Sequence, residues 1–200
     1  MDKQLTTKKM TMIGLLGAVS AILMVLEFPV PLAPAFVKMD FSELPVILGG
    51  YLMGPIAGLW IILIKILVNF LIGGTTTMGV GELANLIGSV SYMVPCVLIY
   101  RKFMSKKGAL GSLLIGTLVV SIVVLWGNLY LVFPIYATLY GMSLDAIVAM
   151  GTATNPYVTD LFSMLLFSML PFNLIKYGSV SIITFLVYKR LSKLLKSIME

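Results

Sequence analysis

Histidine is absent from this 200-residue sequence, and cysteine occurs once, as Cys96. The first absence removes the commonest metal ligand and general base. The second excludes a disulfide framework and makes a metal site built on cysteine unexpected. Charge is scarce too, with Asp, Glu, Lys and Arg at 11% of the chain. There is no acidic cluster to cage a metal and no nucleophile paired with a base, so neither a metal site nor catalysis is expected. A nucleotide motor is also missing. The glycine-dense loop at 73–81 has no Lys after its last glycine to reach a phosphate. No internal repeat is visible, which leaves an inverted-repeat secondary transporter unsupported.

Apolar residues fill the space: 60% of the chain, with a mean hydropathy of +1.06. That composition belongs to the membrane class. Spans of about 20 apolar residues match a bilayer core, and this length holds about six of them, leaving almost nothing for a soluble domain. The net charge of +6 does not indicate nucleic acid, because of where it sits. Lys3, Lys8 and Lys9 precede the first apolar run. Arg101, Lys102, Lys106 and Lys107 fill one gap, and Lys189, Arg190, Lys193 and Lys196 follow the last run. These are eleven of the fourteen basic residues. This is the pattern of cytoplasmic flanks under the positive-inside rule. The first run lacks a small-residue cleavage site and reads as a retained helix, not a signal peptide.

The expected architecture is all-α and polytopic: one transmembrane domain over 1–200, six transmembrane helices, both termini cytoplasmic. The first helix covers about 10–27. Three prolines favour an extended loop over 28–36. Asp40-Phe41-Ser42-Glu43 has the form of a capping box and predicts a short second helix ending at Gly54. Pro55 suits the first turn of a third helix, to about 72. A Gly/Thr loop over 73–79 leads to helices at about 80–100, 110–136 and 171–195. Residues 160–169 read either as an outer interfacial helix or as an early start of the sixth. The proline loop, the Gly/Thr loop and the connection before the sixth helix then face outside.

Lys176 lies in the last apolar stretch with no Asp or Glu within a turn. A cation at membrane depth is costly and by default functional, and Asn173 leaves the same helix face. At about 1.5 Å rise per residue, Lys176 is roughly 20 Å in from Lys189 and Asn173 roughly 24 Å. Asn128, Glu82 and Asn69 come to compatible depth from other helices, while Lys65 lies near the middle. This set predicts a cavity open outward. Two amides and an amine among Trp126, Tyr130, Phe172 and Tyr177 suit a flat heterocycle with polar edges, held by stacking and a few hydrogen bonds. Glu82 and the threonines 75–77 suit hydroxyl groups. Asp40 and Thr77, in the two outer loops, complete the candidate ligand set of Asn128, Asn173, Lys176, Glu82, Asp40 and Thr77. The partner that Lys176 lacks is expected to be the ligand itself, with no neutralising acid required. Each residue also has a structural reading. Buried Asn can be interhelical glue, Lys can snorkel, and for Lys65 a structural pairing is favoured.

The first helix carries two small-xxx-small pairs, Gly14 with Ala18 and Gly17 with Ala21. Such pairs let another helix approach closely, within the protein or on a partner.

The order of these pieces resembles the riboflavin-specific substrate-binding (S) components of energy-coupling-factor vitamin transporters. The resemblance covers nearly the whole chain. It is carried by the Pro-rich loop before Met39-Asp-Phe-Ser-Glu-Leu-Pro45, by Gly54-Pro-Ile-Ala-Gly58, by Ile64-Lys-Ile-Leu-Val-Asn69, by Val80-Gly-Glu-Leu-Ala-Asn85, by Asn128 before Phe133-Pro134, and by Pro171-Phe-Asn-Leu-Ile-Lys176. Ile66 departs from it, standing where Asn is expected. The resemblance implies a bacterial multi-pass membrane protein that captures riboflavin from outside beneath its first loop, with FMN as a second candidate ligand and no cofactor. It implies the ring system held by Asn128, Asn173 and Lys176, with Glu82 and the loop before it near the ribityl chain. It also implies docking, through the small residues of the first helix, on a transmembrane coupling (T) component that carries two ABC-type ATPase subunits.

Overall fold

A computed structural model describes residues 7–31, 33–34, 36–75 and 77–199, with side chains as far as 190. Lys3 and the side chains of Lys193 and Lys196 lie outside the described residues. The order is α1 (Thr7–Val25), β1 (Phe28–Pro29), β2 (Lys38–Met39), α2 (Glu43–Met53), α3 (Pro55–Gly73), α4 (Val80–Lys102), α5 (Lys106–Gly127), a π-helical turn Asn128–Val132, α6 (Phe133–Tyr140), α7 (Leu144–Thr152), α8 (Leu161–Met164), a second π turn Leu165–Met169, and α9 (Leu170–Met199). The architecture is helical, as the apolar runs predict. The one sheet among the described residues is a short antiparallel ladder, Phe28 opposite Met39 and Pro29 opposite Lys38, which ties the two ends of the proline loop together.

Five helical rods are long and apolar enough to cross a membrane: Thr7–Val25, Pro55–Gly73, Val80–Lys102, Lys106–Tyr140 and Leu161–Arg190. At 11 residues α2 is about 16 Å long, about half a hydrocarbon core. Its residues 45–50 are all buried, so it sits among the other helices. The rods turn apolar side chains outward, with Leu67 59%, Leu118 58% and Leu186 71% exposed. That is how a helix facing lipid differs from one facing water.

Two boundaries depart from expectation, and the open reading of 160–169 is decided. The 40–43 capping box does not form: α2 starts at Glu43, its N-cap Ser42 makes no side-chain cap bond, and Asp40 Oδ1 instead accepts from the Ser42 backbone N–H at 2.8 Å. Glu43 is free to turn inward, where a buried cation outbids the helix end. The last rod begins at Leu161, the early start that is one of the two readings of 160–169, capped by Asp160, which accepts from Ser163 N–H at 2.7 Å. The fourth rod, expected to end near 136, runs on to Tyr140. In both rods a proline sits just beyond a π turn, at Pro134 and Pro171. Proline removes one N–H and crowds the carbonyl four residues back, and the wider turn absorbs this without ending the rod. The carbonyl that Pro171 leaves unbonded, Phe167 O, accepts from Asn155 Nδ2 at 3.0 Å.

The core has two main parts. Ile47, Ile61, Ile62, Tyr92, Met93 and Val97 pack α2, α3 and α4 together at the centre. Met39, Phe133, Ile147, Val158, Met164 and Phe172 pack the proline loop against the π turns and α7. The cavity described next opens where the two meet.

Candidate functional site

A cavity of about 510 Å³ lies between the proline loop and the adjoining ends of α1, α3, α4, α5 and α9. That is within the usual range for a small-molecule site. All six predicted ligand residues line it: Asn128, Asn173, Lys176, Glu82, Asp40 and Thr77, as does Asn69. The π turns explain how two amides from different rods arrive together: Asn128 opens the first, and Asn173 follows the second by four residues. Both are buried, at 7% and 4% exposure. Asn173 Nδ2 is buried with no hydrogen-bond partner among the described residues. A buried amide donor left open is costly, and the residue that carries it lines the cavity.

Glu82 and the Gly/Thr loop supply another part of the lining. Thr75 and Thr77 hydroxyls each donate to Glu82 Oε2 at 3.2 Å, and Thr77 Oγ1 accepts from Gly81 N–H at 2.9 Å. The loop is folded onto α4 around one oxygen of that carboxylate. Thr76 lies outside the described residues. Above the cavity, Glu27 and Lys38 form a half-exposed ion pair at 2.5 Å, beside the β1–β2 ladder.

Lys176 corrects the sequence reading. It does not lack an acid: its Nζ is 2.7 Å from Asp40 Oδ2, with the two side chains 9% and 3% exposed. The partner comes from 136 residues away in sequence, beyond any local search. Burial alone would raise the Asp40 carboxyl. Lys176, then Lys65 farther off, outweigh it and hold the group at about 2, below its ordinary 3.8.

The aromatic setting is corrected in part. Phe172 and Tyr177 line the cavity, with Phe36, Phe133 and Tyr136. Trp126 and Tyr130 do not. They stack on each other at 5.5 Å, 53% and 69% exposed, on the outer surface of their rod. The α1 pairs divide. Gly17 and Ala21 are buried, and a side chain at Gly17 would run into Ile64 of α3, so this pair serves internal packing and not a partner. Gly14 has open space where a Cβ would stand, and Ala18 is exposed. Beside Leu15, Val19 and Ile22, they form an outward face.

Sequence reasoning missed the polar network behind the cavity. Lys65, fully buried, pairs with Glu43 at 2.5 Å and donates to Ser42 Oγ at 2.9 Å. Ser89 Oγ reaches Glu43 Oε1 at 2.5 Å and Asn85 Oδ1 at 3.2 Å; Asn85 also lines the cavity. The structural pairing expected for Lys65 thus exists, with a carboxylate. Charge parity was the available signal: two cations within apolar runs, Lys65 and Lys176, and two acids three residues apart beside another run, Asp40 and Glu43.

The chemistry this geometry permits is binding. Amide and ammonium donors, a carboxylate with hydroxyls, and aromatic rings line one cavity. A second recess, at the far ends of α4 and α9, is lined by Tyr100, Lys106, Tyr188, Lys189 and Arg190. Eighteen residues of α4, about 27 Å, separate Glu82 from Tyr100, so the cavity and the basic end lie at opposite ends of that helix.

Comparison with known proteins gives consistent matches. Residues 8–188 match the family of ECF transporter substrate-specific components. The riboflavin transporter RibU of Staphylococcus aureus is 30% identical over 193 residues, 96% of this chain and 94% of that protein. The riboflavin transporter FmnP of Bacillus subtilis is 34% identical over 130 residues, 64% of this chain and 68% of that one. A solved structure of the S component of a bacterial ECF transporter superposes with a TM-score of 0.75 at 29% identity, covering 94% of this chain and 98% of that one.

Proposed function

This chain belongs to the family of substrate-specific components of ECF transporters, and from that premise we propose that it captures riboflavin from outside the cell and holds it for uptake driven by partner ATPase subunits. The observation that carries the reading is the convergence of Asn128, Asn173, Lys176, Glu82 and Thr77 on one cavity, polar groups that match the ligand's two ends.

Isoalloxazine is flat, with carbonyl and N–H groups along one edge. Asn173 and Asn128 take that edge, each able to donate and accept. Lys176 donates to a ring carbonyl while Asp40 stays beside it as counterion. Phe172 and Tyr177 supply apolar and stacking surface. Glu82 accepts from the ribityl hydroxyls and Thr77 completes that end. A phosphate ester there would bring its charge toward Glu82, so FMN is the weaker ligand.

The chain lies in the bacterial membrane as six helices, the buried α2 being the short sixth, with both termini in the cytoplasm. Arg101, Lys102, Lys106, Lys189 and Arg190 then mark the inner side, and the cavity opens outward. The outward face of α1 at Gly14 and Ala18 is where the coupling (T) component docks, and that component carries the two ATPases. Binding is tested by titrating riboflavin with purified protein in detergent. Saturable one-to-one quenching of riboflavin fluorescence is expected, and no quenching at micromolar concentrations would reject the reading.

A further inference from the structure

We propose that the buried Glu43–Lys65 pair, neither of whose residues lines the cavity, is a positioning device that holds Asp40 and Asn85, and through Asp40 also Lys176, at the spacing the ligand requires. The proposal rests on the riboflavin reading above.

The bonds form one continuous path. Lys176 Nζ meets Asp40 Oδ2 at 2.7 Å; Asp40 Oδ1 accepts from Ser42 N–H at 2.8 Å; Ser42 Oγ accepts from Lys65 Nζ at 2.9 Å. Lys65 donates to Glu43 Oε1 at 2.5 Å, and the Ser89 hydroxyl shares its proton between that oxygen and Asn85 Oδ1. Both ends of the path face the cavity, and its middle is fully buried. Ser20 of α1 adds a bond to the Ser42 carbonyl. Four helices and the proline loop's end therefore meet α2 at one ion pair.

Stability alone gives no reason to place two charges there. Desolvating them costs several kcal/mol each, and an apolar pair of the same shape is often as stable or more so. The pair is not even fully satisfied, since Glu43 Oε2 is buried without a partner among the described residues. What an apolar pair could not do is fix direction. Hydrogen bonds set where Ser42 and Ser89 point, and those serines set the carboxylate of Asp40 and the amide of Asn85. A constellation held to within about half an ångström needs such a supporting layer.

The test is riboflavin titration by fluorescence quenching with the full chain, beside thermal unfolding of the ligand-free protein. The double variant Glu43→Gln/Lys65→Met removes both charges while keeping side-chain length. It should unfold within a few degrees of the parent yet bind riboflavin about tenfold more weakly. Parent-like affinity in the folded double variant overturns the proposal. Ser89→Ala removes the bonds to Glu43 and Asn85 while leaving the ion pair in place; it should lower the unfolding midpoint by a few degrees and weaken binding several-fold. If the double variant is unfolded or strongly destabilised, Ser89→Ala decides at a temperature where it is fully folded: weakened binding supports positioning, and parent-like affinity overturns it. A pair with a purely structural role predicts affinity that follows stability across all the variants. A parent that fails to quench riboflavin rejects the functional reading and this proposal with it; a parent that binds while the variants bind equally well rejects this proposal alone.

Discussion

Replacing Asp40 by Asn removes one charge and almost no volume. In the parent, the Lys176 ammonium is 2.7 Å from that carboxylate with both side chains nearly excluded from solvent. Taking one member from a buried pair strands the other, at a typical cost of about 3–5 kcal/mol. The carboxyl gives a second figure: holding it at about 2 instead of 3.8 corresponds to roughly 2–3 kcal/mol. The smaller figure is a net value, with the burial of Asp40 already set against its attraction to Lys176, so we take the loss as about 2–4 kcal/mol. For a chain of this length each kcal/mol moves the unfolding midpoint by about 2–4 °C, so a drop of about 5–15 °C is expected at pH 7 without ligand, followed by circular dichroism in detergent. The pH dependence has a definite sign. The folded carboxyl lies below its unfolded value, so its contribution is complete above about pH 4 and is lost as the pH falls toward 2. The gap between parent and Asp40→Asn should be flat from pH 5 to 8 and close below 4. A midpoint change under about 2 °C at pH 7, or a gap that widens on acidification, would refute the pairing as the source of stability.

Two further outcomes follow from the cavity and from α1. Lys176→Ala should weaken riboflavin binding by about a hundredfold, since a charge-assisted hydrogen bond contributes about 1.5–3 kcal/mol and Asp40 would be left unpaired; in the same titration its loss should exceed that of the Glu43→Gln/Lys65→Met variant, and the reverse order would place the ligand elsewhere. On α1, Gly17→Leu collides with Ile64 and should lower the unfolding midpoint by several degrees, whereas Ala18→Trp should leave folding and ligand binding intact while abolishing co-purification with a coupling subunit. Equal destabilisation by both would mean that α1 has no free face.

The helical class, the rod order and the six cavity residues were legible because membrane depth can be counted along a helix. Asn128, Glu82 and Asn173 were placed by rise per residue alone, and rise survives folding. The proline loop and the Gly/Thr loop were legible from their backbone chemistry. What depth does not carry is rotation about each axis. Trp126 therefore looked like a cavity residue and lies outside, and Gly17 looked like half of a docking surface and lies inside. Pairing across distant segments was equally hidden. Lys176 and Asp40 share no pattern in the sequence, and Glu43 read as a helix cap because the cation that draws it away, Lys65, belongs to another helix.

The two π turns have a consequence for how the long rods are phased. Each widened turn adds a residue that a regular helix would not contain, so the faces before and after it are offset by about a residue's rotation, roughly 100°. In the last rod, the half before the turn presents Met164 to the cluster that holds the proline loop and α7, and the half after it presents Asn173 and Lys176 to the cavity. One continuous helix thus speaks to two neighbours from what would be a single stripe. Closing the turn to a regular α-helix with no residue removed would leave composition, length and hydropathy untouched, yet rotate the amide and the ammonium away from the cavity by about 100°. The binding geometry is in this sense written as an offset in counting, in a place where neither residue identity nor charge would reveal its loss.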